Sequence, residues 1–214
     1  RDGAVYDETT EAYRRGLTEI CRTLAAFNNH PAIDEIVVVT RPDVMERMSR
    51  VCVAYEKVRI VVSGGASRTD SVQKGLAAVS EGTQLVAVHD GARPLVPAEV
   101  ITKAVAKAAK FGAAAPAIPV KDTIKVSETG AVDATPRRET LFAVQTPQVF
   151  DVDLLRGALQ NAEEHGLVLT DDCSAVEALG MSVQLTEGSE ENIKITTPLD
   201  LELAEAIVAR RDKR

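Results

Sequence analysis

The stretch VRIVVSGGASRTDSVQKGLAAVSEGTQLVAVHD, residues 58–90, decides the fold, because it contains a strand, a helix and a strand pattern in succession. The β-branched run VRIVV is typical of a buried strand, and two glycines stop it. Next, Val72, Leu76 and Val79 share one helical face, and Asp70 is the expected N-cap. The run LVAVHD then begins another strand. Short links between these elements predict parallel strands joined by a right-handed crossover.

The sequence on either side extends this unit. Before it, LTEICRTLAAF (residues 17–27) has helical spacing, and DEIVVVT (residues 34–40) is a continuous apolar strand pattern. After it, AEVITKAVAKAAKFG (residues 98–112) is an alanine-rich helix that ends at Gly112, and AAAPAIPV (residues 113–120) predicts a fourth strand. The alternation predicts an α/β protein with a mainly parallel sheet flanked by helices.

The pattern changes after residue 120. Residues 121–146 contain two β-like arms around the turn signal Glu128-Thr129-Gly130, which predicts an extended β-hairpin arm. Two helices, the strands SVQLTEG and NIKIT, and a final helix with Thr197 as N-cap and Pro198 at its first position are expected after it. No internal repeat divides the chain, so we expect one domain over residues 1–214.

Composition restricts the class of protein. The 214-residue chain carries a net charge of −7, which disfavours nucleic acid as a partner, because phosphate backbones need dense Lys and Arg. Its three scattered cysteines fit no zinc spacing and indicate a reducing, cytoplasmic compartment. No apolar run reaches membrane-spanning length, so a membrane protein is not expected.

Polar residues follow the predicted strands at the edge where an open α/β sheet binds its ligands. They are Ser63-Gly64-Gly65, then Asp90 with Arg93, then Lys121-Asp122-Thr123, with Lys194 in the late strand pattern. One acid and several cations suit a phosphorylated ligand with Mg²⁺, because this ion takes one or two carboxylates and fills its shell with water and phosphate oxygens. Arginine can grip the phosphate with two hydrogen bonds.

Each of these residues also has a purely structural interpretation. Asp90 could cap a loop, Arg93 could be a solvated cation, and the two glycines could form a simple turn. His89 is expected to pack or hydrogen-bond locally rather than to act in catalysis. Local sequence says nothing decisive about three threonines, which are Thr123, Thr146 and Thr170.

Six ordered stretches make the combination specific. They are SGGASRTDSVQKGL, VHDGARP, IPVKDTIK, LFAVQTPQVF, TDDCSAVEALG and NIKITTPLDLELAE. From about residue 31 to the C-terminus, the chain closely resembles the 2-C-methyl-D-erythritol 4-phosphate cytidylyltransferases. The resemblance implies a Rossmann-like nucleotidyltransferase fold and a reaction of CTP with that sugar-alcohol phosphate, which releases pyrophosphate.

The resemblance also implies roles for individual residues. Asp90 would hold Mg²⁺ at the CTP phosphates, and Lys194 would neutralise charge at the transferring phosphate. The nucleotide pocket would include Gly65, Ala66 and Ser71. Contacts to the second substrate would come from Arg93, Thr123, Arg138, Thr146 and Thr170. The hairpin arm would reach across a homodimer, so that Arg138 would act in the partner subunit's site.

One feature of the family is missing. Its members begin with a strand and a glycine-rich loop, L-A-A-G-x-G-x-R-M, that wraps the CTP phosphates. This chain opens RDGAVYDETTEAYRRGLTEICRTL, with Glu11 about where a lysine is expected. Either the sequence is incomplete or altered at its start, which the otherwise intact site favours, or catalysis is lost. Without that central strand we expect the chain as written to have low stability.

Two other functions stay open. A cytidylyltransferase for ribitol 5-phosphate shares several of the motifs, although Gly91-Ala92 and Lys125 favour methylerythritol phosphate. A non-catalytic nucleotide-binding homologue would explain the missing loop.

Overall fold

The computed structural model describes residues 11–213. Its helices are α1 (Glu11–Asn28), α2 (Met45–Cys52), α3 (Arg68–Ala77), α4 (Ala98–Phe111), α5 (Val152–Glu164), α6 (Asp172–Ala178) and α7 (Pro198–Arg211). Its strands are β1 (Ile36–Thr40), β2 (Val58–Ser63), β3 (Leu85–Val88), β4 (Ala113–Pro119), β5 (Phe142–Val144), β6 (Gln148–Asp151) and β7 (Gln184–Glu187). The elements β2, α3 and β3 form as predicted, but β2 and β3 belong to different sheets, so the predicted parallel crossover within one sheet is not confirmed. Helix α2 is not predicted by the sequence patterns.

The helix ends show how local sequence fixes each boundary. Helix α3 is capped by Ser67, whose hydroxyl accepts a hydrogen bond from the Asp70 amide, while the Asp70 carboxylate accepts one from the Ser67 amide. The prediction of Asp70 as N-cap is therefore wrong, because Ser67 is the N-cap and Asp70 lies at N3, the third helical position of the capping box. Gly112 ends α4 at φ 84°, and Thr197 caps α7 with Pro198 in its first turn, both as predicted.

The strands form two sheets among the described residues. Strands β1 and β2 pair in parallel. The second sheet has the order β3-β6-β4-β5, with β7 also paired to β4. In it β4 and β7 are parallel, but the pairs β3–β6, β4–β6 and β4–β5 are antiparallel. A mainly parallel sheet is therefore not confirmed, because the chain returns after residue 120 and inserts β6 in the opposite direction between β3 and β4.

Two further predictions are not confirmed in this part of the chain. Residues 121–146 do not form a two-stranded hairpin; an isolated bridge joins Val126 to Ala134, and residues 121–135 are exposed. With no core beneath it, such a short pairing does not grow into stable strands. The segment NIKIT forms no strand either, although the Ile195 amide donates to the carbonyl of Ala92 at 2.8 Å.

Apolar side chains cover both faces of the larger sheet. Phe150, Leu155 and Val176 belong to the cluster that joins the sheet to α5 and α6. On the other face, alanines of α4 pack on Ala114 and Val149. This helix–sheet–helix layering confirms the α/β class and fixes the ends of β3 and β6, from which the candidate site is built.

A cleft of about 690 Å³ separates β1 from β3. Apolar residues of both strands line it, and its polar lining residues include Arg68, Ser71 and Asp90. Among residues 11–213, no strand pairs with β1 on the side away from β2, or with β3 on the side away from β6. The helices in that range include none with the length and apolar character needed to cross a membrane.

Candidate active site

The carboxylate of Asp90 is the centre of the candidate site. It lies two residues beyond the end of β3, and its side chain is 20% exposed. Lys194 Nζ lies 3.1 Å and Arg93 Nε 3.3 Å from the same oxygen, Oδ2. Burial raises the pKa of Asp90, but the hydrogen bonds and positive charges of Lys194 and Arg93 outweigh it, so the pKa lies below its ordinary value. The site therefore holds an ionised acid between two cations.

A hydrogen-bonded chain behind this carboxylate fixes its backbone. The Asp90 amide donates to Thr146 Oγ1 at 3.1 Å, and Thr146 Oγ1 lies 2.9 Å from His89 Nδ1. His89 Nε2 lies 3.2 Å from the carbonyl of Arg93, which can only accept, so Nε2 carries the proton and Nδ1 accepts the Thr146 hydroxyl proton. Burial is the main cause that lowers the pKa of His89 to about 4, so the ring is neutral. His89 is thus a structural residue, as predicted.

The two cations reach Asp90 from different segments. Arg93 is mostly buried at 12% side-chain exposure, and its Nη1 donates to the carbonyl of Asn192 at 2.7 Å. Lys194 is 48% exposed and extends from the segment that Ile195 fastens to the loop after β3. The charge of Lys194 is thus paired with that of Asp90.

The predicted nucleotide residues form a second group at the start of α3. Ser71 Oγ accepts from the Gly65 amide at 3.1 Å and donates to the carbonyl of Ser67 at 2.9 Å. A Cβ on Gly65 would lie 2.1 Å from Asp70 Cβ, so only glycine fits there. Ala66 is exposed beside it. Ser71 and Asp90 both line the cleft between β1 and β3, so one residue of this group shares a cavity with the acid.

A buried ion pair joins that loop to the far side of the site, and the sequence patterns missed it. Arg68 donates two hydrogen bonds to Asp172, at 2.8 and 2.6 Å, and the carboxylate is 1% exposed. The hydrogen bonds and charge of Asp172 raise the pKa of Arg68 despite its partial burial. Asp172 begins α6 directly after Thr170 and Asp171. The pair therefore sets the distance between the α3 loop and the Thr170 segment.

Three predicted residues lie apart from this cluster. Thr123, Arg138 and Thr170 are exposed, and within residues 18–213 no hydrogen bond or ion pair joins them to Asp90. Arg138 Nη1 donates to the carbonyl of Lys121 at 3.2 Å, and Lys121 Nζ lies 2.5 Å from Glu190 Oε1. The base of the 121–146 segment is thus tied to the turn before Lys194. The substrate roles of these three residues stay predictions.

The donor set fits a magnesium ion only if phosphate oxygens complete its shell. Across residues 18–213, whose side chains the structure describes, no three or more His, Cys, Asp or Glu side chains cluster as ligands for a metal ion. Asp90 offers one ionised carboxylate, and both of its cations contact Oδ2, which leaves Oδ1 for a metal. One carboxylate with phosphates and water is a usual arrangement for Mg²⁺.

With this geometry established, the chain can be compared with known proteins. Residues 12–210 match the family model described as 2-C-methyl-D-erythritol 4-phosphate cytidylyltransferase. The chain belongs to this family. A relative of that name from Desulforamulus reducens is 46% identical over 197 residues, which span 90% of this chain and 84% of the relative. One from Halalkalibacterium halodurans is 45% identical, with 91% and 86% of the two chains covered.

Solved structures of the family share the fold. A 4-diphosphocytidyl-2C-methyl-D-erythritol synthase from Anaerococcus prevotii superposes with a TM-score of 0.83 at 31% identity, covering 89% of this chain and 86% of its own. The 2-C-methyl-D-erythritol 4-phosphate cytidylyltransferase from Thermus thermophilus gives a TM-score of 0.73 at 38% identity, covering 90% and 89%. Asp90, Arg93 and Lys194 all lie within the range that the family model matches.

Proposed function

We propose that this protein is a cytidylyltransferase that joins CTP to 2-C-methyl-D-erythritol 4-phosphate in isoprenoid biosynthesis. A phosphate oxygen of the second substrate attacks the α-phosphorus of CTP, the bond from that phosphorus to the β-phosphate oxygen breaks, and pyrophosphate leaves. The products are 4-diphosphocytidyl-2-C-methyl-D-erythritol and pyrophosphate. The observation that carries the proposal is the ionised Asp90 held between Lys194 and Arg93 in a member of this family.

Charge and position perform the chemistry in this mechanism, since phosphoryl transfer of this kind needs no covalent enzyme intermediate. Lys194, half-exposed beside the acid, stabilises the negative charge that develops on the transferring phosphate. Arg93 holds the substrate phosphate with its remaining guanidinium donors. Thr146 contacts the second substrate beside Arg93. Its hydroxyl already accepts a hydrogen bond from the Asp90 amide and donates one to His89 Nδ1.

Magnesium would be held by Asp90 and by the phosphates of CTP. When bound, it neutralises phosphate charge and favours departure of pyrophosphate. The low pKa of Asp90 supports this assignment, because the carboxylate is ionised near neutral pH. The cytosine and ribose would contact Gly65, Ala66 and Ser71, where the lack of a Cβ on Gly65 lets its backbone pack directly against Asp70.

The segment 121–146, which is exposed over residues 121–135, is the proposed dimer contact. It carries solvent-exposed apolar side chains at Ile124, Val126 and Val132, and β5 adds Phe142 and Val144. An apolar surface of this kind favours association with another copy. Thr123 and Arg138 lie in the same segment, so a dimer would carry them towards a neighbouring site, and Thr170 would face the substrate from the start of α6. We place the protein in the cytoplasm, with no nucleic acid among its partners.

The dimer proposal is tested by sedimentation of the purified protein. Val126→Asp should shift the chain from dimer to monomer, whereas Val53→Asp, at a residue that is 86% exposed in α2's C-terminal cap, should not. A monomeric wild type would contradict the proposal.

Substrate choice tests the proposed function itself. Pyrophosphate release is measured with CTP and Mg²⁺, and with either 2-C-methyl-D-erythritol 4-phosphate or ribitol 5-phosphate. We expect release with the first alone. Release only with ribitol 5-phosphate would replace the proposed substrate, and CTP binding without release from either would indicate a nucleotide-binding homologue.

A further inference from the structure

We infer that Asn192 is a positioning residue, which holds the substrate-side residues Arg93 and Thr146 in place relative to Asp90. Asn192 touches neither the acid nor the two cations with its side chain. It is fully buried at 0% exposure, two residues before Lys194. This inference rests on the proposed function.

The side chain of Asn192 fastens the segment before β6. Its Nδ2 donates to the carbonyl of Thr146 at 2.8 Å and lies 3.3 Å from Gln145 Oε1. Thr146 in turn accepts the Asp90 amide. The Nδ2 donor of Asn192 therefore holds Thr146 in place, and Thr146 in turn holds the backbone of Asp90.

The backbone of Asn192 fastens the loop after β3. Its carbonyl accepts Arg93 Nη1 at 2.7 Å, and its amide donates to the carbonyl of Ser189 at 3.0 Å. Gln145 reinforces the same turn, because its Oε1 accepts the Ser189 amide and its Nε2 donates to the Ser189 carbonyl, at 3.1 and 2.8 Å. One buried residue thus contacts two segments that carry predicted substrate contacts.

The two polar atoms of the Asn192 side chain differ in their hydrogen bonding, and only Nδ2 has partners among the described residues. Asn192 Oδ1 is buried and has no hydrogen-bond partner within the described part of the chain. A buried acceptor without a partner is unfavourable. The two donor contacts of Nδ2 are then the reason for an amide at this position, and an aspartate of the same shape could not make them.

Two substitutions separate this role from a general contribution to folding. Asn192→Ala removes the donors, and Asn192→Asp removes them while keeping the shape. Each should raise the KM for 2-C-methyl-D-erythritol 4-phosphate about tenfold, with a much smaller change in the KM for CTP, because one well-placed hydrogen bond is worth roughly that factor. Loss of folded protein alone would lower the apparent kcat and leave both KM values unchanged.

Asn28→Ala is the matched control. Asn28 ends α1, and its Oδ1 accepts the Lys57 amide at 3.0 Å, far along the chain from Lys194. It should leave both KM values as in the wild type. Equal changes of both KM values in the Asn192 variants, or none, would overturn the inference.

Amide hydrogen exchange gives a readout that does not depend on turnover. In Asn192→Ala the amides of Asp90 and Ile195 should exchange about tenfold faster than in the wild type, while amides in the centre of α5 keep their rates. Unchanged exchange at Asp90 would overturn the inference even in an active enzyme. Faster exchange in a protein without cytidylyltransferase activity would instead leave the positioning role intact and reject the proposed function.

Discussion

Lys194 Nζ lies 3.1 Å from Asp90 Oδ2, although the two residues come from opposite halves of the chain. Strand β3 delivers the acid, and the segment between β7 and α7 delivers the cation. The contact leaves half of the lysine side chain exposed, so the charge is available to a phosphate ligand as well as to the acid.

Removing the charge of Asp90 should abolish most activity. Asp90→Asn keeps the shape of the side chain but loses the ionised metal ligand and the shared partner of Lys194 and Arg93. We expect kcat to fall by about 10²–10³-fold, the usual cost of losing one electrostatic element of a transition state. Pyrophosphate release checks this, with circular dichroism to confirm that the variant is folded. An unchanged kcat would show that Asp90 takes no part in the reaction.

The contribution of Lys194 to kcat should come from its position beside Asp90 and not from its effect on the net charge of the protein. Lys194→Ala should lower kcat by about 10²-fold, because the developing phosphate charge loses its cation. Lys103→Ala is the control, since Lys103 makes surface ion pairs with Glu99 and Glu187 on α4 and β7. Surface pairs contribute about 0–1 kcal/mol, so this variant should keep wild-type rates. Equal losses in both variants would contradict the assignment.

The Arg68–Asp172 pair should stabilise the fold measurably. Arg68→Ala leaves the buried Asp172 carboxylate without its guanidinium. We expect the free energy of unfolding to fall by roughly 2–3 kcal/mol, less than the about 3–5 kcal/mol for a fully buried pair, because Arg68 is 44% exposed. Arg41→Ala breaks an exposed pair with Asp43 and should cost less than about 1 kcal/mol. Urea denaturation compares the two, and similar costs would refute the distinction.

The start of α7 should show a defined pH dependence. Hydrogen bonds from the backbone and side chains of Thr196 and Thr197 lower the pKa of Asp200 from 3.8 to about 2. Since the folded-state pKa is lowered, this stabilisation is present above pH 3.8 and is lost as the pH falls towards 2. Asp200→Asn should therefore lower Tm by roughly 2–4 °C at pH 7.

The difference in Tm between wild type and Asp200→Asn should shrink as the pH falls below 3.8. Calorimetry at pH 7, 5 and 3 measures it. A difference that stays constant over this range would show that the ionised carboxylate is not the cause.

Sequence patterns predicted the elements that depend on local rules. The apolar runs of β2 and β3, the helical spacing of α3, the end of α4 at Gly112 and the start of α7 at Pro198 all depend on residues a few positions apart. They are present in the structure. The position of Asp90 at the end of a strand followed from the same rules.

Features that depend on distant partners were beyond those patterns. The direction of β6 is set by its neighbours β3 and β4, so local sequence suggested a parallel sheet where the pairings are mostly antiparallel. The burial of His30 against the carbonyl of Ala98 and the hydroxyl of Thr102 likewise depends on residues about 70 positions away. Asn192 carried no signal of its own, because its partners Thr146 and Arg93 lie far away in sequence. The sequence signal that could have identified Asn192 is its place at the start of NIKIT, which belongs to one of the six ordered stretches.

The most direct test of the central claim follows the phosphorus atoms. Phosphorus-31 NMR is recorded while the purified protein is incubated with CTP, 2-C-methyl-D-erythritol 4-phosphate and Mg²⁺. We predict that the triphosphate signals decline while those of a cytidine diphosphate ester and of pyrophosphate rise in equal amounts, and that Lys194→Ala slows both together. A spectrum in which CTP stays unchanged, from protein that circular dichroism shows to be folded, would contradict the proposed reaction.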